Sequence, residues 1–157
     1  MGDKEKFMHE AIALSFRAMR SGAGGPFGAI VVKDGKIIAK GMNKVTANND
    51  PTAHAEIVAI REACEVLQTF QLNGCEIYTS CEPCPMCLGA IYWSRPDKVY
   101  FANTKKDAAN AGFDDQFIYE EINLHPGDRK FICEQLCRTD ALKAFDEWKT
   151  KTDKVNY

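Results

Sequence analysis

Cys84 and Cys87 stand three residues apart in the run Pro83-Cys84-Pro85-Met86-Cys87, and this run restricts the fold of the chain more than any other feature. Prolines before and between the cysteines suit a loop entering a helix, because proline is tolerated in a first helical turn. Side chains three apart on such a turn share a face, so both sulfurs can reach one ion. The positive end of the helix dipole favours the thiolate form, which is the form that ligates. Zinc is the expected metal. A redox pair, or two buried apolar thiols, are the alternatives. The chain has seven cysteines, at positions 64, 75, 81, 84, 87, 133 and 137, and an odd number cannot all pair within one chain. The pattern predicts metal or thiol chemistry in a reducing, cytoplasmic compartment.

A third ligand is offered by His54, in the run Pro51-Thr52-Ala53-His54-Ala55-Glu56 at a second predicted helix start. One histidine and two cysteines leave a fourth tetrahedral position for water, and an open position separates catalytic from structural zinc. Glu56 then has a use, since zinc-bound water with a pKa of about 7 still needs a carboxylate to carry its protons. Cys81, three residues before Cys84, keeps a closed four-ligand site open as an alternative. The two-residue spacing of His54 and Glu56 does not place them on one helical face, so the opening of the helix must supply their geometry.

The remaining pattern describes what carries this group. Phe7, Ala11, Leu14 and Ala18 predict an amphipathic helix over residues 4–20. Strands follow over 27–33 and 36–42, joined by the hairpin signal Asp34-Gly35. A helix over 53–67, a strand over 76–79, a helix ending near Trp93, strands over 98–102 and 131–136 and a helix over 139–150 complete the series. Residues 103–130 resist assignment, and a loop of that length is usually functional or partly helical. The order predicts an α/β fold, a three-layer α/β/α sandwich around a mixed five-stranded sheet. At 157 residues, with 45% apolar and 27% charged side chains, the chain has the size and balance of a single globular domain. Its net charge of −2 supplies no field to hold a polyanion, which disfavours nucleic acid as a partner. No apolar run approaches the ~20 residues that cross a bilayer, and the charged N-terminus carries no export signal, so no membrane partner is expected.

The paired segments His54-Ala55-Glu56 and Pro83-Cys84-Pro85-Met86-Cys87 match the H-x-E and P-C-x-x-C pattern of zinc nucleobase deaminases. With the opening α-β-β order, most of residues 1–119 resemble the cytidine-deaminase-like superfamily. Within it, Gly25-Pro26-Phe27-Gly28-Ala29, Asn43, the run from Ala111 to Tyr119 and a C-terminal Tyr157 resemble the bacterial-type guanine deaminases. The segments around His54 and Cys84 are less selective, since similar ones occur in tRNA adenosine deaminases. The resemblance implies one zinc bound by His54, Cys84 and Cys87, Glu56 as proton shuttle, and hydrolysis of guanine to xanthine and ammonia in purine salvage or catabolism. It implies that Asn43 reads the polar edge of the base, that Phe27 and Trp93 wall the pocket, that Ala55 and Tyr157 touch the substrate, and that Asp115 meets the exocyclic amine and relays its proton. It also implies a homodimer whose C-terminal segment, about residues 140–157, crosses to the partner and closes a pocket. Three other readings stay open: a guanosine deaminase, a tRNA adenosine deaminase, and a zinc-stapled binding module. Plainer roles compete for single residues, with Phe27 and Trp93 as core, Asn43 as a strand end, and Asp114-Asp115 as a solvated turn.

Overall fold

The apolar stripe of Phe7, Ala11, Leu14 and Ala18 lies on α1, Asp3–Arg20, and Gly22 just beyond it takes the left-handed conformation that only glycine adopts without steric cost. The structure, a computed structural model, describes residues 2–157. Strands β1 (Gly28–Lys33) and β2 (Lys36–Met42) form an antiparallel hairpin. Its turn residues Asp34 and Gly35 both have positive φ, the geometry whose twist matches paired strands. Then come α2 (Val45–Asn48), α3 (Ala55–Leu67), β3 (Cys75–Cys81), α4 (Pro85–Ser94), β4 (Lys98–Asn103) and α5 (Lys105–Asn110). Proline opens α4, and Arg95 in the left-handed region ends it before Pro96.

The sheet has the order β2-β1-β3-β4. β1 runs antiparallel to both neighbours, whereas β3 and β4 are parallel because α4 crosses between them. Alternation along β1 and β3 separates two cores. Ala29, Val31, Cys75 and Ile77 pack with Ala55, Ala59 and Ala63 of α3 and Ile91 of α4. Ile30, Val32 and Tyr78 pack on the other side with Ala11 of α1. The layered α/β class with helices on both faces of a mixed sheet is therefore as expected, with four strands instead of five.

The missing strand is the predicted one at 131–136, which is irregular, with Phe131 80% exposed. The chain divides into two compact units, one ending at Asp115 and one running from Gln116 to Tyr157. The second contains α6 (Gln116–Asn123), a single 3-10 turn (Pro126–Asp128) and α7 (Arg138–Thr150). A strand needs a hydrogen-bonded neighbour, and a unit built of helices offers residues 131–136 none of its own. Residues 103–130, unassigned from sequence, are largely the short helices α5 and α6 and the 3-10 turn. Among the described residues no helix is long and apolar enough to cross a membrane.

Because Gly28 pairs with Met42 and Ala29 with Thr79, the start of β1 and the ends of β2 and β3 share one end of the sheet. The first turn of α3 reaches that end by lying close on β2 at Gly41. A Cβ on Gly41 would run into the Ala55 carbonyl oxygen and sit 2.6 Å from the Ala59 nitrogen. Gly41→Ala should therefore lift α3, lowering stability by about 1–3 kcal/mol and weakening zinc binding; thermal unfolding and zinc titration of the purified variant check both.

Candidate active site

Two helix N-termini meet at this end of the sheet, and each contributes in the same way. His54 is the N-cap of α3 and Cys84 the N-cap of α4, both with extended backbones, at φ −67° and ψ 156° and at φ −67° and ψ 168°. Neither side chain caps its own helix, so both are available to a shared site. Glu56 and Cys87 follow in the first turns of the two helices. The extended cap brings His54 and Glu56 to one place despite their two-residue spacing.

The ligand atoms of His54, Cys84 and Cys87 lie within 4.8 Å of one another. The Cys84 and Cys87 sulfurs are 3.5 and 3.6 Å from His54 Nδ1. In a tetrahedron with Zn–S near 2.3 Å and Zn–N near 2.05 Å, the S···N edge is about 3.6 Å. The three donors fit a zinc ion in type and in spacing. Cys81 is not part of this group; its thiol donates to the Thr104 carbonyl at 3.7 Å, and burial pushes it up to about 11. Three protein donors leave the fourth tetrahedral position open.

Electrostatics act differently on the three donors. A hydrogen bond from Cys87, reinforced by His54, brings the Cys84 thiol down to about 4, so it is a thiolate at neutral pH. The contact with that thiolate, together with burial, pushes Cys87 up. The neighbouring Cys84 sulfur raises the His54 imidazole. Glu56 is only 6% exposed, and burial holds its carboxyl above the usual carboxylate range. Its two oxygens have separate partners: Oε1 accepts from Thr79 Oγ1 at 3.3 Å, and Oε2 accepts from Cys87 Sγ at 3.5 Å.

A cavity of about 430 Å³ opens over this group, lined by Phe27, Asn43, His54, Glu56, Cys84, Phe113 and Asp115, among others. That volume suits a small molecule. Phe27 and Phe113 meet edge to face, centroids 4.9 Å apart at 85°, and form an apolar wall. Asn43 is buried, its Oδ1 accepting from the Val45 N–H at 3.1 Å, which leaves its amide donors to offer to a ligand. Gly24 makes room for it, since a Cβ there would collide with Asn43 Oδ1. Asp115 is partly buried in the wall, and burial raises its carboxyl above its ordinary range.

Ala55 is fully buried in the first turn of α3. Trp93, near the end of α4, is 65% exposed and is not a wall of this cavity. Tyr157 belongs to the C-terminal unit and is 69% exposed. Phe113 is a wall residue for which sequence reasoning names no separate role. Its signal was local: it follows Gly112, which has φ +92°, and a glycine turn that sharp can turn the next side chain inward.

Metal analysis separates the two coordination schemes. Cys81→Ser should retain about one zinc per chain and Cys84→Ser should lose it, because removal of one of three protein ligands opens the site. Equal loss in both variants would mean a closed four-ligand centre.

Residues 1–103 match the family described as the cytidine and deoxycytidylate deaminase zinc-binding region. The chain is 53% identical to the guanine deaminase of Bacillus subtilis (strain 168) over 153 residues, 98% of each protein. The X-ray structure of guanine deaminase from Bacillus subtilis superposes with a TM-score of 0.95, again over 98% of both chains. A structure of guanine deaminase from Nitrosomonas europaea gives a TM-score of 0.66 at 36% identity, over 69% of this chain and 63% of that one. The tRNA-specific adenosine deaminase of Aquifex aeolicus (strain VF5) is 48% identical over 103 residues, 66% of this chain and 68% of that protein. The histidine and two cysteines at the mouths of α3 and α4 are thus the metal-binding part of a known enzyme fold, and the chain belongs to the zinc-dependent cytidine and deoxycytidylate deaminase family.

Proposed function

We propose that this protein is a zinc aminohydrolase that converts guanine and water to xanthine and ammonia. The observation that carries the reading is the alignment with a guanine deaminase across 98% of both chains, C-terminal unit included. Similarity to the tRNA-specific adenosine deaminase covers only 66% of this chain, and a net charge of −2 gives a polyanion little to hold. The small cavity favours a free base, a small-molecule partner rather than a polymer.

His54, Cys84 and Cys87 would hold a zinc ion, which would supply the Lewis acidity that activates water for attack. Glu56 takes a proton from the attacking water and delivers it to the ring nitrogen beside the reacting carbon. It then carries a second proton to the departing amine. Its burial, which holds the carboxyl above the usual carboxylate range, suits a group that must both accept and return a proton. Asn43 offers its amide donors to acceptors on the polar edge of the base, and Asp115 accepts a hydrogen bond from the exocyclic amine, any proton it takes up being returned to that amine as ammonia leaves. Phe27 and Phe113 cover the ring and exclude water, while Ala55 places the opening backbone of α3 against the substrate.

The working unit in this proposal is a homodimer in which each C-terminal segment, about residues 140–157, crosses to its partner. There Tyr157 closes the partner's pocket. Supporting this are the large apolar side chains that the C-terminal unit leaves exposed, Phe131, Ile132, Leu136, Phe145 and Tyr157 among them. The expected setting is the reducing cytoplasm, in keeping with seven free thiols.

Ammonia release should be fastest with guanine, with adenine and cytosine slower by about 10⁴-fold, because a site with buried polar groups rejects a base that leaves them unpaired. A faster rate on guanosine would move the assignment to the nucleoside. Glu56→Gln should keep its zinc and lose turnover by at least about 10²-fold; an active amide variant would remove Glu56 from the mechanism. Deleting residues 154–157 should leave zinc bound and lower activity sharply. Mixed dimers of that truncated chain with Glu56→Gln should recover activity, since one of their two pockets holds both a working Glu56 and a covering tail. No recovery in confirmed mixed dimers would rule out closure by the partner.

A further inference from the structure

Along β3 the residues turned toward α3 are Cys75, Ile77 and Thr79. The first two belong to the apolar core there, as does Ala29, the β1 partner of Thr79. Thr79 continues that face and is 1% exposed. Valine has the same shape and would serve the packing equally well, so the buried hydroxyl needs a reason beyond packing. The Thr79 hydroxyl donates to Glu56 Oε1 at 3.3 Å.

Glu56 enters its site on a flexible side chain, and the last torsion of a glutamate is broad and roughly twofold. Thr79 holds one oxygen, Oε1, which leaves Oε2 as the oxygen turned to the side of the metal-ligating group, 3.5 Å from Cys87 Sγ. The hydroxyl comes from the centre of a sheet with a strand on either side, which makes it a rigid anchor.

We propose that Thr79 is a positioning residue for the deamination, holding Glu56 Oε1 so that Oε2 is the oxygen presented to the reaction and the one that accepts and returns the proton. Thr79 keeps its own proton throughout, and nothing is oxidised or reduced. The inference rests on the reading of Glu56 as proton carrier. It also reaches beyond the family pattern, since Thr79 lies outside both the H-x-E and P-C-x-x-C segments.

Three variants of the zinc-loaded, full-length protein test it: Thr79→Val, Thr79→Ser and Glu56→Gln. Thr79→Val keeps the shape and loses the hydroxyl, whereas Thr79→Ser keeps the hydroxyl and loses a methyl. Thr79→Val should retain zinc and the folded state, keep KM within about twofold, and lose roughly tenfold or more in kcat. Thr79→Ser should stay within about threefold of the wild-type kcat, although its lost methyl lowers thermal stability. Crystal structures should show the Glu56 carboxylate rotated in Thr79→Val and unmoved in Thr79→Ser. The inference is overturned by a wild-type kcat in Thr79→Val, by equal loss of kcat in both variants, by an unmoved carboxylate in Thr79→Val, or by loss of zinc or fold in that variant. A fully active Glu56→Gln is a different failure: it removes the proton-carrier reading itself, whatever the Thr79 variants do.

Discussion

Two sulfurs and an imidazole nitrogen crowd into a space where the S···N contacts are 3.5 and 3.6 Å, beside a carboxylate that is almost fully buried. Gathering such groups in one partly dry place costs free energy, because thiolates and carboxylates repel one another and each loses its water. A divalent cation offsets that cost, and the positive ends of α3 and α4 reduce it further. Much of the fold serves to hold the group together. β3 feeds directly into α4 and sets the two cysteines, while the bare backbone of Gly41 lets α3 descend far enough to bring His54 and Glu56 to them.

The sheet end divides the work by rigidity. Metal donors sit on helix caps and first turns, whose backbones are fixed by hydrogen bonds on one side and by sheet packing on the other. Cavity walls come from the segments just outside the strands: Phe27 before β1, Asn43 after β2, and Phe113 and Asp115 beyond α5. A stiff centre with walls on connecting segments is how one scaffold can keep its chemistry while its substrate varies. This fits relatives named for different substrates that resemble the chain over about two thirds of its length, and a guanine deaminase that resembles it over nearly all.

What was legible in the sequence was what local physics specifies. The period of Phe7, Ala11, Leu14 and Ala18 marks α1, Asp34-Gly35 marks the hairpin, and the prolines around Cys84 mark the start of α4. The three metal donors followed from residue type and placement at helix starts. How His54 and Glu56 converge was not legible, because a two-residue spacing has the right geometry only when the first residue is an extended cap. The strand expected at 131–136 failed because strand character in a short apolar stretch becomes a strand only beside a hydrogen-bonding neighbour. Trp93 is exposed on α4, and the ring that stands beside Phe27 is Phe113, whose approach depends on the fold of the segment beyond α5. Thr79 carries no motif at all; only its burial against Glu56 singles it out.

The central claim is that the metal has three protein ligands and one open position. X-ray absorption at the zinc edge of the fully loaded protein measures this directly. The account predicts two sulfurs at about 2.3 Å and two light atoms at about 2.0–2.1 Å, one from His54 and one from solvent. Three sulfurs and a single light atom would instead place Cys81 on the metal and close the position that hydrolysis requires.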